Sequence, residues 1–265
     1  MDLMSLFKFS LKCYDVGLSV RSVLKRYKYR EWLKFAKKNE SLSQYKKSDV
    51  LFVCANGPSL KKVNLDELEG DTIVINDYFR IADQFTKAPT YYLLLDNEYA
   101  WESMKERMDG VMNCHPDIPH IIAADIIGPV GERYRNSDTN LFVYDAFGKT
   151  FNHKLKIDFT KTTYTVWNVV TKCIQLGIYL GYKEIRLVGF DYSLFASRIE
   201  RHVYDKEGEN HILAVNQRDM LYRYVFTTHI LYEFEIYARE HGIRIINMTS
   251  ASLLDAFEFD KDSKY

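Results

Sequence analysis

The stretch Leu51–Leu60, LFVCANGPSL, decides the fold that we expect for this chain. The apolar run 50–55 stops abruptly at Asn56-Gly57-Pro58-Ser59, which predicts a buried strand followed by a tight turn. In an open parallel sheet, ligands bind at the loops after the carboxyl ends of the strands. Gly57 would let the backbone approach a ligand, and Ser59 with the next amides would meet a phosphate. The alternative is an ordinary strand–turn–helix joint, in which all four are turn residues only.

The composition suits one large folded domain with an appendage. The chain has 265 residues, of which 47% are hydrophobic, so a full core can be buried. The formal net charge is zero, but residues 1–47 carry twelve Lys/Arg against four Asp/Glu. We therefore divide the chain into a basic helical segment, 1–47, and an acidic catalytic body, 48–265. Nucleic acid is a poor candidate partner, because the basic charge lies in one terminal segment.

The basic segment predicts one or two amphipathic helices over residues 3–39, with Leu, Phe and Trp side chains interleaved with Lys and Arg. Such a helix suits an anionic membrane surface, which residues 1–40 would contact. The alternative is a helix packed on the domain or on a second subunit. The sequence has no apolar run of about 18 residues and no convincing signal peptide. We expect a cytoplasmic protein that is peripheral to the inner face of the cytoplasmic membrane.

Apolar runs and helical patterns alternate along the rest of the chain, after a polar linker at 40–48. This alternation predicts an α/β fold with a mainly parallel sheet and right-handed crossovers. The predicted strands are 50–55, 72–76, 91–96, 118–124, 141–144, 183–189 and 243–247. The predicted helices are 98–108, 165–180, 218–241 and a closing helix at 251–259, with surface loops at 125–140, 145–161 and 191–217.

Four blocks in this order carry a resemblance: NGPSL at 56–60, VIN at 74–76, LGYKEIRLVGFDY at 180–192 and NMTSASLL at 247–254. Together they resemble the bacterial sialyltransferases of glycosyltransferase family 42. The resemblance implies a single Rossmann-like (GT-A-like) domain, a CMP-activated acidic sugar as donor, and a possible homo-oligomer. NGPSL also occurs in motility accessory factors and in archaeal pterin pyrophosphokinase-like proteins.

The resemblance also implies a set of donor-binding residues. The first nucleotide-binding turn matches Asn56-Gly57-Pro58-Ser59, and further donor contacts match the ends of later strands. The family's Thr-Ser at the start of the central helix is not reproduced in register, and Thr165 and Asn168 are the nearest substitutes. The remaining matches are Asn76, Asp96 or Asn97, Gly189, Asp191, Tyr192 and Ser252.

The catalytic candidates are tyrosines and histidines. The resemblance implies that Tyr192 or Tyr204 bonds the departing phosphate, and a histidine near neutral pKa would act as the base. Three histidines compete for that role: His211, the first choice because its polar loop directly precedes the long helix, then His202 and His229. The only Asp-x-Asp triplet, at 260–262, lies in a polar tail, so we expect neither a cofactor nor a required divalent metal.

These observations predict an inverting glycosyltransferase. It would move a sialic acid-like or Kdo-like sugar from a CMP-activated donor to a saccharide or glycolipid acceptor in bacterial surface polysaccharide or lipooligosaccharide synthesis. Two alternatives stay open. One is a pyrophosphokinase-like transferase on the same fold, which would need ATP and Mg²⁺. The other is a non-catalytic, membrane-associated scaffold with a degenerate nucleotide site.

Overall fold

A single parallel sheet of eight strands, in the order β5-β4-β3-β2-β1-β6-β7-β8, forms the centre of the molecule. The computed structural model describes residues 2–134, 140–148, 157–196, 202–204 and 216–260. Every described strand pair is parallel. The strands are β1 Val50–Cys54, β2 Asp71–Ile75, β3 Tyr91–Leu94, β4 Pro119–Ala123, β5 Asn140–Tyr144, β6 Glu184–Val188, β7 Arg244–Asn247 and β8 Glu258–Phe259. The expected α/β fold with a mainly parallel sheet is confirmed.

The strand order changes direction at β1, and this change positions the site. Strands β2 to β5 extend the sheet on one side of β1, and β6 to β8 extend it on the other. Leu51 pairs with Asp71 of β2 on one side and with Ile185 of β6 on the other. Ligands bind at such a switch point, outside the carboxyl ends of the strands. The LFVC run is fully covered because β1 is a central strand with helices on both faces.

Helices cover the sheet and supply the walls above it. The α-helices are α1 Leu3–Lys28, α2 Arg30–Leu33, α3 Lys105–Asn113, α4 Ala124–Val130, α5 Val169–Tyr179 and α6 Gln217–Glu240. Helix α5 is buried along nearly its whole length. Asn168 caps its first turn by accepting a hydrogen bond from the Val170 amide at 2.8 Å. The N-terminal helices that the sequence predicts are present.

The second half of the basic segment packs on the sheet. A 3-10 helix, Lys34–Tyr45, lies against β5. Asn39 is fully buried and donates to the carbonyl oxygens of Val143 and Phe159, and Leu42 is also fully buried. The prediction of a polar linker at 40–48 is therefore wrong for its first half, because these two side chains anchor the segment. The division of the chain at residue 47 stays a prediction.

Three other predicted elements need correction. The closing helix at 251–259 is wrong: the Leu253 amide bonds to the Asp191 carbonyl at 3.0 Å, and residues 258–259 form the short strand β8. The helix expected at 98–108 begins only at Lys105, after two 3-10 turns. The loop expected at 125–140 begins with α4, whose apolar residues Ile126 and Ile127 are fully buried.

Helix α1 is attached to the body mainly through polar contacts. Lys25 forms an ion pair with Asp125, and Arg26 donates to Asp145 at 2.8 Å. Tyr14 adds an aromatic contact, with its ring 5.2 Å from that of Phe226 on α6. Among the described helices, none combines the length and the apolar character that crossing a membrane requires.

Candidate active site

A cavity of about 600 Å³ opens at the carboxyl ends of β1, β2, β3 and β6. Its walls come from the loops after these strands, from the segment that leads into α5, and from α1 and α6. Twelve of the residues that the sequence singled out line it: Asn56, Gly57, Asn76, Asp96, Asn97, Thr165, Asn168, Gly189, Asp191, Tyr192, His202 and Tyr204. Residues far apart in the sequence thus meet at the switch point.

Two asparagines that line this cavity carry buried side-chain oxygens without a hydrogen-bond partner among the described residues. The Asn56 side chain is buried and donates through Nδ2 to the Ile75 carbonyl at 3.0 Å, while its Oδ1 has no hydrogen-bond partner among the described residues. The Asn76 Oδ1 is likewise buried and unpartnered within that set. A buried acceptor without a donor costs roughly 1–3 kcal/mol. Such groups at a cavity point to a ligand that supplies the missing donors.

The backbone at Asn76 is held in a conformation that few residues adopt. Its φ is +44°, in the left-handed region, where asparagine is tolerated better than most side chains. The Tyr92 hydroxyl donates to the Asn76 carbonyl oxygen, and the Phe79 amide donates to the same hydroxyl at 3.2 Å. The Tyr92 hydroxyl therefore holds the Asn76 backbone in this conformation. Strain that is held by surrounding contacts is common at functional sites.

Asp191 fastens the turn after β1 to the turn after β6. Its Oδ2 accepts from the Ser59 hydroxyl at 2.8 Å and from the Ser59 amide at 3.2 Å, and the Gly57 amide donates to the Gly189 carbonyl at 3.0 Å. A Cβ at Gly57 would lie 2.1 Å from this same Oδ2. The glycine thus makes room for Asp191, and the expected approach of a ligand to Gly57, which lines the cavity, stays a prediction. Ser59 and its amide are likewise committed to a carboxylate rather than to a phosphate, and neither Pro58 nor Ser59 lines the cavity.

The rim residues Asp96, Thr165 and Asn168 hold their loops through local hydrogen bonds. Asp96 Oδ1 accepts from the Glu98 amide at 3.1 Å, and Thr165 donates its hydroxyl to the Gly148 carbonyl at 2.7 Å. Asn168 caps α5, as described above. These side chains therefore shape the cavity wall, whereas the oxygens of Asn56 and Asn76 have no hydrogen-bond partner among the described residues.

The two candidate tyrosines differ in where their hydroxyls and rings lie. The Tyr192 hydroxyl lies 2.8 Å from Thr228 Oγ1 on α6, and burial raises the pKa of Tyr192 to about 12. Tyr192 therefore joins the β6 turn to α6. Tyr204 stacks on His202, with ring centroids 5.1 Å apart, and the Arg80 guanidinium lies 4.6 Å from the Tyr204 ring centroid. A tyrosine, a histidine and an arginine thus meet at one side of the cavity.

The three candidate histidines are separated by the structure. His202 lines the cavity, whereas His229 lies on α6 and is not part of the lining. His211 lies outside the described residues. Ser252 does not line the cavity either; its hydroxyl oxygen accepts from the Leu254 amide at 3.3 Å.

Several lining residues were missed from the sequence. Leu18, Arg21, Ser22 and Lys25 reach the cavity from α1, and Trp167 and Arg223 come from the α5 approach and from α6. Nothing local marked the α1 residues as site residues, because their place depends on contacts with Asp125 and Asp145, about one hundred positions away. Within the described part of the chain, no group of three or more His, Cys, Asp or Glu side chains could hold a metal ion.

The strand order and the cavity define an α/β protein with a candidate ligand site at the switch point of its sheet. The chain shares its fold with the monofunctional alpha-2,3-sialyltransferase Cst-I from Campylobacter jejuni, at a TM-score of 0.51 and 14% identity over 80% of each chain. This confirms the resemblance seen in the sequence at the level of the fold.

Two further solved structures are similar. The MAf glycosyltransferase from Magnetospirillum magneticum AMB-1 has a TM-score of 0.51 at 14% identity; the match covers 88% of this chain and 39% of that one. The sialyltransferase CstII from Campylobacter jejuni, in complex with the substrate analogue CMP-3FNeuAc, has a TM-score of 0.48 at 16% identity, with 80% and 86% covered. No protein-family model and no curated protein match the chain.

Proposed function

We propose that this protein is an inverting glycosyltransferase that transfers a sialic acid-like or Kdo-like sugar from a CMP-activated donor to a saccharide or glycolipid acceptor. The observation that carries the proposal is the pair of buried, unpartnered oxygens on Asn56 and Asn76 at the switch point. The fold shared with Cst-I, a sialyltransferase, and with the MAf glycosyltransferase supports it. The reaction would serve bacterial surface polysaccharide or lipooligosaccharide synthesis at the inner face of the cytoplasmic membrane.

The chemistry of the two oxygens favours the nucleoside part of the donor. An amide oxygen accepts hydrogen bonds, so it suits ribose hydroxyls or the cytosine amino group and repels phosphate oxygens. The leaving phosphate needs donors, which the hydroxyl of Tyr204 and the side chain of Arg223 at the cavity wall can supply. The reaction would then proceed without a divalent metal.

The acceptor hydroxyl needs a base, and a histidine is suited to that role near neutral pH. His202 lies at the cavity, stacked on Tyr204. His211 keeps its place as a candidate because its loop precedes α6. Transfer that survives His202→Ala and is lost in His211→Ala would assign the base to His211, and the reverse result would assign it to His202.

The test is the thermal stability of the protein with CMP, CDP, UDP and GDP and, separately, with ATP and Mg²⁺. A ligand of the folded state raises stability by RT ln(1 + [L]/Kd), so CMP should give the largest shift. The key variant is Asn76→Gly, because glycine accepts a positive φ and leaves the backbone unstrained. We expect it to weaken CMP binding about tenfold or more, as the loss of a hydrogen bond predicts.

Asn64→Ala is the matched control, since Asn64 is an exposed asparagine that bonds only within its own loop. Its CMP shift should equal that of the wild type. Stabilisation by UDP but not CMP would overturn the donor class. Stabilisation by ATP with Mg²⁺ alone would favour the pyrophosphokinase-like alternative, and no shift with any nucleotide would favour the scaffold.

A further inference from the structure

Helix α1 turns its apolar side chains away from the protein. Val16, Val20, Val23, Leu24 and Tyr27 follow one another at helical spacing and are between 62% and 72% exposed. We call these five residues the outer face of α1. Leu6 and Phe9, which are 47% and 60% exposed, continue it toward the N-terminus. A helix on the surface of a globular protein normally buries its apolar side, so this orientation is inverted.

The inversion is fixed by good polar contacts on the opposite side of the helix. Ser22 is buried there, Lys25 pairs with Asp125, and Arg26 donates to Asp145. Asp145 also accepts from the Phe147 amide at 2.9 Å, so its position is well defined. Rolling α1 to bury its outer face would break both ion pairs. These polar contacts therefore keep the outer face of α1 exposed.

Basic side chains border the outer face. Lys12, Arg21 and Lys28 are exposed, and α1 as a whole holds six Lys/Arg against one acidic residue, Asp15. Over 26 residues the helix is about 39 Å long. A long apolar stripe with a basic border is the pattern of a helix that lies in the interface of an anionic bilayer.

A second copy of the chain fits this surface less well. In a two-fold contact the same patch meets itself, so two helices with five excess positive charges each would face one another. Anionic headgroups would neutralise that charge, and acyl chains would cover the valine, leucine and tyrosine side chains. Charge complementarity therefore favours an anionic lipid surface over a second copy of the chain as the partner of α1.

We propose that α1 docks on an anionic phospholipid bilayer through its outer face. The inner side of the same helix lines the cavity with Leu18, Arg21 and Ser22. Docking thus places the cavity about one helix diameter, roughly 10 Å, from the headgroups. The proposal stands independently of the sugar donor, because lipid binding is measured without any reaction.

The experiment is co-sedimentation of the full chain with vesicles of phosphatidylethanolamine and phosphatidylglycerol, compared with vesicles of phosphatidylcholine. The wild type should bind the anionic vesicles, and added salt should weaken binding. The double variant Val20→Asp/Leu24→Asp should lose about a hundredfold or more in partitioning, because two apolar side chains no longer enter the bilayer. Both positions are exposed, so the melting temperature should stay near that of the wild type.

The matched control is Leu221→Asp/Ile236→Asp on α6, where the two side chains are 43% and 39% exposed. It carries the same added charge and should bind as the wild type does. A third variant, Lys12→Gln/Lys28→Gln, should bind about fivefold less tightly per removed charge. Its binding to phosphatidylcholine should not change.

Three results would overturn the proposal. One is a wild type that binds neither kind of vesicle. Another is an equal loss of binding in the α1 and α6 double variants. The third is a wild type that forms dimers in sedimentation equilibrium, together with a Val20→Asp/Leu24→Asp variant that is monomeric but binds vesicles as the wild type does. The outer face would then be a contact between two copies of the chain.

Discussion

Helices α5 and α1 depart from ordinary amphipathic packing in opposite ways. Helix α5 buries Thr171, Lys172 and Gln175 completely, and α1 exposes the apolar side chains of its outer face. Lys172 is accommodated because its ammonium lies 2.8 Å from Thr163 Oγ1 and 2.6 Å from the Tyr164 carbonyl oxygen. The outer face of α1, in contrast, stays between 62% and 72% exposed in the described part of the chain. The buried Lys172 ammonium thus has its hydrogen-bond partners within the protein, whereas the exposed apolar face of α1 would need a partner from outside.

The largest expected effect comes from one leucine on each helix. Leu176 on α5 is fully buried and Leu24 on α1 is 67% exposed. Leu176→Ala should lower the free energy of unfolding by about 2–5 kcal/mol, because it leaves a cavity in the core. Leu24→Ala should change it by less than about 0.5 kcal/mol. Denaturant unfolding of both variants measures the contrast, and equal losses would mean that α1 packs its outer face within the protein.

A smaller effect, on the order of 1–3 kcal/mol, should appear in the pH dependence of stability through Lys172. Burial lowers the pKa of Lys172 from 10.5 to about 7. Between these values the unfolded chain binds more protons than the folded one, so the free energy of unfolding rises with pH. The penalty of burying the charged form is fully present below pH 7.

The control for the pH effect is the Lys172→Met variant, because methionine has a side chain of similar length and no charge. The wild type should gain stability relative to this variant as the pH rises from 7 to 10, in denaturant titrations at each pH. If the two curves run parallel over that range, the pKa of Lys172 is not lowered in the folded protein and burial of its ammonium carries no penalty.

The smallest expected effect concerns the attachment of α1. Arg26 is 40% exposed and pairs with Asp145 at 2.8 Å. Arg26→Leu should cost about 1 kcal/mol at low salt and less at high salt, since a partly exposed ion pair is screened. Arg30→Leu is the control, because the Arg30 side chain is 59% exposed and pairs only loosely with Glu31. Unfolding in low and high salt distinguishes them; identical behaviour of the two variants would show that Arg26 does not hold the helix.

Much of the sheet could be predicted because its strands are short apolar runs that end at turn residues. Val50–Cys54 and Asp71–Ile75 lie within a residue of where the pattern placed them. The segment 251–259 could not be predicted in this way. Leu254, Ala256 and Phe257 have a spacing compatible with a helix, but their burial and the bond from the Leu253 amide to Asp191 are tertiary contacts. Tertiary contacts can override the local sequence pattern, as they do at this edge of the sheet.

The site was predictable where it follows strands and not where it depends on distant contacts. Asn56 and Asn76 end β1 and β2, so their place at the switch point follows from the fold. The role of Asp191 was not visible, because the sequence cannot show that its carboxylate reaches Ser59, 132 positions away. The share of α1 in the cavity wall was hidden for the same reason.

The link between Asp191 and Ser59 has a consequence for selectivity. Two turns that are tied by one carboxylate and by a direct bond between Gly57 and Gly189 cannot spread independently. The distance between the two turns is therefore fixed by the folded protein itself. A ligand that enters the cavity would therefore have to fit the existing distance between the two turns, because neither turn can move aside alone.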